Sequence, residues 1–96
     1  MDPPIVGQTI KHKSQFADDQ GNLLDVSATV KCTVRKPDGT MVALTPVTVI
    51  STGKYSAKHT PDTSGVWWVR WEGTASGDSY VSEKSYTVVA KQVVAP

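Results

Sequence analysis

Gly65-Val66-Trp67-Trp68-Val69-Arg70-Trp71-Glu72-Gly73 decides the fold, and it holds all three tryptophans of the 96-residue chain. Successive side chains of a β-strand point to opposite faces of the sheet. Alternation therefore gives two sets: Trp67, Val69 and Trp71 on one face, and Trp68, Arg70 and Glu72 on the other. Since a buried aromatic side chain removes about 150–250 Å² from water, the stretch predicts a central strand that anchors the core with its first set.

The composition is that of one domain without a strong charge. The chain has ten basic and nine acidic residues, a net charge of +1 and 39% apolar residues. Nucleic-acid binding requires a basic field, and scattered lysines do not provide one, so we expect no nucleic-acid partner. No apolar run approaches the roughly 20 residues of a membrane span. We expect no membrane partner.

Cysteine content and the N-terminus bear on the compartment. The single Cys32 permits no disulfide within the chain. The first residues, Met1-Asp2-Pro3-Pro4, carry neither the basic nor the apolar region of a signal peptide. We therefore expect the protein to fold in a cytoplasm.

Turn residues recur every few positions, and Val and Thr dominate between them, a pattern that favours strands over helices. The clearest alternation runs through Val26, Ala28, Val30, Cys32 and Val34. Turns are predicted at 18–22, 36–40 and 52–53, a loop at 61–65, and a hairpin loop at 74–79. Seven strands are predicted, at 8–16, 26–35, 41–44, 47–51, 54–59, 65–73 and 80–89.

Seven short strands spaced by turns are typical of an antiparallel immunoglobulin-like β-sandwich. We predict an all-β domain over residues 8–90, an N-terminal arm over 1–7 and a C-terminal tail over 91–96. The predicted core consists of Trp67, Val69, Trp71, Val30, Cys32, Val34, Tyr55, Tyr86 and Val88.

The chemically reactive residues do not assemble into a recognisable site. His12, His59 and Cys32 fall on three different predicted strands and lack the close spacing of zinc ligands. Cys32 lies in register with Val30 and Val34, which predicts a small buried hydrophobic residue. No Ser–His–acid set, phosphate-binding glycine loop or pair of carboxylates at catalytic spacing is present. We expect no enzyme activity, no metal and no cofactor.

Asp18, Asp19 and Asn22 have a weak similarity to an oxygen-rich calcium loop. Calcium takes six or more oxygen ligands, including a carboxylate further along the chain. A solvated turn is the favoured interpretation.

Two groups of residues are candidates for an interface. Trp68 and Arg70 face away from the predicted core, and both residue types are enriched at interface hot spots. The alternatives are that Arg70 stacks on Trp68 within the chain, or that the N-terminal segment covers this face. The second group lies in the arms: Pro3, Pro4, Ile5, Val6, Val93 and Val94.

The ordered motifs resemble small immunoglobulin-like structural proteins of tailed bacteriophages. The resemblance covers about residues 8–89 and rests on these segments: Val34-Arg35-Lys36-Pro37-Asp38-Gly39-Thr40, Thr52-Gly53-Lys54-Tyr55, Ser64-Gly65-Val66-Trp67, Arg70-Trp71-Glu72-Gly73-Thr74 and Tyr86-Thr87-Val88. The same Gly-x-Tyr and Gly-x-Trp pattern is similar to bacterial carbohydrate-binding or adhesion modules.

The phage resemblance implies a non-enzymatic virion protein, foremost a capsid decoration or minor capsid protein on the outside of the head. Its partner would then be the major capsid protein or another virion protein, in an assembly that holds several copies. A head–tail or tail-associated protein and a glycan-binding module stay open as alternatives.

Overall fold

The computed structural model describes residues 4–90, which form two antiparallel sheets and no helix. The strands are β1 (Ile10–Gln15), β2 (Lys31–Arg35), β3 (Met41–Ala43), β4 (Thr48–Ser51), β5 (Lys54–His59), β6 (Gly65–Ala75) and β7 (Asp78–Val88). One sheet has the order β1-β5-β4, and the other has the order β3-β2-β6-β7. The predicted all-β class and strand number are confirmed.

Both sheets contribute side chains to a single core, an arrangement consistent with a β-sandwich. The buried hydrophobic residues are Phe16, Val26, Cys32, Val34, Leu44, Tyr55, Ala57, Trp67, Val69, Trp71 and Val88. Trp67 is completely buried, and its indole N–H donates to the Thr63 carbonyl at 2.9 Å. Val30 and Tyr86, predicted to be buried, lie half-buried at the border of this core.

The predicted strand 26–35 is too long, because its first half forms a turn. The Asp25 carboxylate accepts from the Ser27 amide at 3.0 Å, and the Val26 carbonyl accepts from the amides of Thr29 and Val30 at 2.9 and 2.8 Å. The turn exposes Ala28, which alternation had placed beside Val26. Local bonds from Asp side chains compete with strand pairing in this way.

The loop predicted at 74–79 is a two-residue turn, so β6 and β7 are longer than expected. Ser76 and Gly77 have φ values of 52° and 83°, the positive values that a type I′ hairpin turn needs at both central residues. The strands pair from Gly65–Val88 to Ala75–Asp78 without interruption. Within residues 4–90 no helix is long and apolar enough to cross a membrane.

Gly73 permits close packing between β6 and the turn at Val26. A Cβ atom at position 73 would lie 2.7 Å from Cβ and Cγ2 of Val26, which is almost fully buried. Overpacking of this kind costs about 1–3 kcal/mol.

We therefore expect Gly73→Ala to lower the free energy of unfolding by about 1–3 kcal/mol in urea denaturation. Ala in a strand otherwise stabilises relative to Gly by about 0.4–1 kcal/mol. On a Val26→Ala background the same substitution should cost less, because the Cγ methyl groups of Val26 are gone and only its Cβ atom remains in contact. Equal destabilisation in both backgrounds would contradict the packing explanation.

Candidate functional site

The outward face of the four-stranded sheet carries the exposed tryptophan. Strand register aligns residues in rows across this face: Met41, Arg35, Trp68 and Ser85 form one row, and Ala43, Thr33, Arg70 and Glu83 form the next. We call this surface, with Val66 and Val81 beside the rows, the Trp68 face. The predicted orientation of Trp68, Arg70 and Glu72 away from the core is confirmed.

Arg35, rather than Arg70, lies over the Trp68 ring. Its guanidinium carbon is 5.7 Å from the ring centroid, within the range of a cation–π contact. Stacking of Arg70 on Trp68 was one of the alternatives predicted from the sequence. That prediction is wrong, because the arginine over the ring is Arg35. Arg35 reaches Trp68 because the two residues are directly opposed on β2 and β6.

Arg70 is held instead by two carboxylates. Its Nε donates to Glu72 at 2.7 Å and its Nη1 donates to Glu83 at 2.6 Å. The hydrogen bonds to Glu72 and Glu83 raise the pKa of the Arg70 guanidinium above its usual value. Exposed ion pairs contribute little stability, but these two neutralise the centre of the Trp68 face.

The Trp68 face also carries exposed apolar side chains. Met41, Val66 and Val81 are at least half exposed, and Trp68 is 37% exposed. Among the residues described, Trp68 has the one aromatic ring on this face; Tyr80 is opposite Gly73 and points to the inner side of the sheet. Exposed apolar groups around paired charges are typical of a protein-binding surface.

Part of the predicted N-terminal arm packs on its own domain. The Val6 amide donates to the Val89 carbonyl at 3.0 Å, and the Val89 amide donates to the Pro4 carbonyl at 2.9 Å. Ile5 makes a parallel bridge to Val89 and stays exposed, whereas Val6 packs against the core. Residues 4–7 thus bond to Val89 and to Pro61, and none of these bonds involves the Trp68 face. Pro3, Val93 and Val94 lie outside the described residues, so their predicted interface role stays a prediction.

The inner side of the sandwich contains an aromatic and polar cluster that the sequence analysis did not predict. His12 and Tyr86 have ring centroids 5.1 Å apart, and the Trp67 and Tyr86 rings stack at 6.4 Å. His59 contacts Trp67 at 5.2 Å. The buried atoms His12 Nε2, His59 Nε2 and Tyr86 Oη have no hydrogen-bond partner among the described residues.

Burial shifts the ionisation of this cluster. Desolvation, with a smaller effect of His59, lowers the pKa of His12 to about 4. Desolvation lowers the pKa of His59 as well. Desolvation, assisted by Cys32, raises the pKa of Tyr86 to about 12. All three groups are therefore neutral at pH 7.

Cys32 and the turn from Asp18 to Asn22 lie where the sequence predicted them. Cys32 is a buried free thiol, and desolvation raises its pKa to about 12. Asp18 accepts from the amides of Gln20 and Asn22, both at 2.9 Å, which makes the segment a self-bonded turn. In residues 4–90 no three His, Cys, Asp or Glu side chains come together as metal ligands.

Residues that sequence reasoning left out contribute most of the Trp68 face. Arg35, Met41, Val66 and Val81 were not assigned to a surface. Alternation within each strand indicates that some of these side chains point outward. It does not show that they lie together, because that depends on the order of the strands in the sheet. The chain matches no protein-family model, and no curated protein matches it significantly in sequence.

The buried histidines predict a pH-dependent stability. The pKa of His12 is lower in the folded state than the usual 6.5, so the unfolded chain binds the proton more tightly. Stability is full above pH 6.5 and is lost as the pH falls toward 4. Since one pKa unit is worth about 1.4 kcal/mol, the loss is on the order of 2–3 kcal/mol.

We expect His12→Phe to flatten most of this slope in urea denaturation between pH 7.5 and 4.5. The phenyl ring keeps the aromatic contact and cannot be protonated. His59→Phe serves as the comparison and should remove a smaller part. An unchanged slope in His12→Phe would show that His12 is not the group responsible.

Proposed function

We propose that this chain is an immunoglobulin-like structural module of a phage virion, which attaches to an outer virion protein through its Trp68 face. The topology supports the fold part of the proposal. Taken in immunoglobulin nomenclature, β1-β5-β4 corresponds to strands B-E-D, and β3-β2-β6-β7 corresponds to C′-C-F-G. Where antibody domains have a disulfide between the sheets, this chain has aromatic contacts: His59 of β5 lies against Trp67 of β6, and His12 of β1 lies against Tyr86 of β7.

The functional part of the proposal, attachment to another protein, rests on the exposed Trp68 ring and the ion pairs beside it. Trp68 is exposed to solvent, and its contact with Arg35 restricts the conformation of its side chain before any partner binds. Less conformational entropy is therefore lost when a partner covers it. The two ion pairs of Arg70 satisfy its own charge, so a partner that covers Arg70 meets no unpaired guanidinium at that position. The surface suits another protein of mixed apolar and polar character.

The virion assignment rests on the resemblance of the five quoted motifs. Major capsid protein on the outside of the head is the proposed partner, in a multi-copy arrangement in which weak contacts add by avidity. Head–tail or tail attachment would use the same surface. Assembly in the host cytoplasm accords with the proposal.

A glycan-binding module is the second candidate, and the geometry favours it less. Sugar platforms use several exposed aromatic rings in one plane. Trp68 stands without a second ring on its face within the described part of the chain, and Arg35 lies over it.

We expect the gene for this chain to lie beside capsid, portal or tail genes. The full chain should co-sediment with empty capsids assembled from the adjacent major capsid gene. Trp68→Ala should weaken this binding roughly tenfold or more, because hot-spot truncations cost about 2 kcal/mol or more.

Val49→Ala is the matched control. Val49 is as exposed as the apolar residues of the Trp68 face but lies on β4, in the other sheet. It should leave occupancy unchanged. Binding to a glycan array that is lost in Trp68→Ala, without capsid binding, would favour the second candidate.

A further inference from the structure

A groove opens between β1 and β7, where the two sheets differ in width. Ser82 and Lys84 of β7 are opposite Trp71 and Val69, so they point to the inner side of their sheet. Both are nevertheless exposed, whereas Trp71 and Val69 are buried. The three-stranded sheet ends at β1 and therefore leaves the inner side of β7 uncovered. We call this depression the β1–β7 groove.

The wall formed by β1 has free main-chain groups. The Phe16 amide donates to the Gly53 carbonyl at 2.7 Å, and the register places Gln15 opposite Lys54. In an antiparallel pair alternate residues bond to the same neighbour. His12 and Ser14 therefore bond to β5, and the amides and carbonyls of Lys11 and Lys13 point away from it. No other strand of residues 4–90 pairs with this edge.

The groove is basic and partly apolar. Lys11, Lys13 and Lys84 border it, Ile10 and Tyr86 contribute apolar surface, and no acidic residue of 4–90 lines it. None of these lysines has a carboxylate within 4.0 Å in the described part of the chain, although Lys36 and Arg70 do elsewhere. Arg70 on the Trp68 face has two carboxylate partners, whereas the three lysines of this groove have none among the described residues.

Two buried polar atoms lie along the groove without partners. His12 is 9% exposed and its Nε2 has no hydrogen bond within residues 4–90; the same holds for Tyr86 Oη. Both residues line the groove. Buried polar groups of folded proteins are normally satisfied, and these two atoms lie beneath the surface of the groove.

We propose that the β1–β7 groove binds an extended, acidic peptide segment of a partner protein, which adds to β1 as a fourth strand. The segment exchanges main-chain hydrogen bonds with Lys11 and Lys13, the mode known as β-augmentation. Its inward side chains cover Ile10 and Tyr86, and an inward carboxylate pairs with Lys84. Outward carboxylates face the ammonium groups of Lys11 and Lys13.

A second copy of this chain is the wrong occupant for the same edge. Pairing two β1 edges would bring Lys11 and Lys13 of each copy together, and lysines on edge strands are a known device against self-pairing. The proposal is independent of the function assigned to the Trp68 face, since the two surfaces share no residue.

Calorimetric titration of the full chain tests the proposal with a nine-residue peptide of valine and threonine that carries three glutamates and blocked ends. The same peptide with three lysines is the comparison ligand. We expect at least tenfold tighter binding of the glutamate peptide. Lys84→Glu should weaken that binding at least tenfold. Lys31→Glu, the same charge change on the exposed side of β2 away from the groove, should leave it within twofold.

Comparison of Lys13→Pro with Lys13→Gln, in which binding should persist, separates strand addition from simple charge attraction, because both variants lose the ammonium group and only the proline loses the main-chain N–H. Proline is tolerated on edge strands where the lost N–H points to solvent, so the pairing with β5 should survive, as thermal unfolding will verify. Binding of the glutamate peptide should disappear. In the wild type, the amides of Lys11 and Lys13 should exchange at least tenfold more slowly with deuterium when the peptide is present.

Four results would overturn the proposal. The first is equal affinity of the chain for both peptides, and the second is no binding of the glutamate peptide at millimolar concentration. The third is unchanged affinity for the glutamate peptide in Lys84→Glu and Lys13→Pro, and the fourth is loss of its binding in Trp68→Ala instead. Self-association of the chain that Lys13→Pro abolishes would assign the edge to a second copy and would also contradict it.

Discussion

The pairing of β6 with β2 on one side and β7 on the other determines what both faces of the larger sheet present. In the observed register Trp67, Val69 and Trp71 enter the core, and Arg70 meets Glu83 across the sheet. A slip of one residue would exchange the two faces. It would expose three large apolar side chains and bury the Arg70 guanidinium, and burying an unpaired charge is very costly. The two penalties reinforce each other, so the register has no close competitor.

The hairpin turn contributes a second, local constraint on the same register. Ser76 and Gly77 form a two-residue turn with both φ values positive, and such turns match the right-handed twist of the strands they join. The eleven residue pairs that follow are uninterrupted. The geometry of the turn and the packing of the core therefore favour the same pairing of β6 with β7. Such agreement between local and long-range preferences is characteristic of sequences that fold to one structure.

The core tolerates polar groups at the side where the smaller sheet ends. His12 and Tyr86 lie next to the open β1–β7 groove, and His59 packs on Trp67. These side chains remain neutral because burial disfavours their charged forms. The large aromatic contacts compensate for hydrogen bonds that the described residues do not supply. Polarity in this core therefore coincides with the place where the sandwich is incomplete.

The sequence predicted what depends on alternation within one strand. Trp67 and Trp68 were assigned to the correct faces because their neighbours on β6 alternate over the whole strand. Residues 26–30 alternate equally well, yet they form a turn. Its determinants include the Tyr55 hydroxyl, which accepts from the Val26 amide at 2.9 Å from 29 positions along the chain. Alternation carries no information on such a contact.

Alternation within one strand could not predict sites to which several strands contribute. The alternation through Cys32 and Val34 implies that Arg35 points outward, but its position over Trp68 follows from the opposition of the two residues on β2 and β6. The β1–β7 groove follows from the different widths of the two sheets, which no single segment encodes. Composition could not reveal that Lys84 faces inward, since its neighbours Glu83 and Ser85 are equally polar.

The two surfaces differ in how their charges are satisfied, and this gives each a different physical character. On the Trp68 face Arg70 is neutralised by two carboxylates, so attraction to a partner must come from burial of apolar area around an ordered ring. At the β1–β7 groove three lysines lack carboxylate neighbours in the described chain, and main-chain groups stand free. Recognition there relies on charge and on directional hydrogen bonds, which specify the sign and the extended shape of a ligand. A small domain with both surfaces can hold two different partners at once, because the Trp68 face and the inner side of β7 lie on opposite faces of the same sheet.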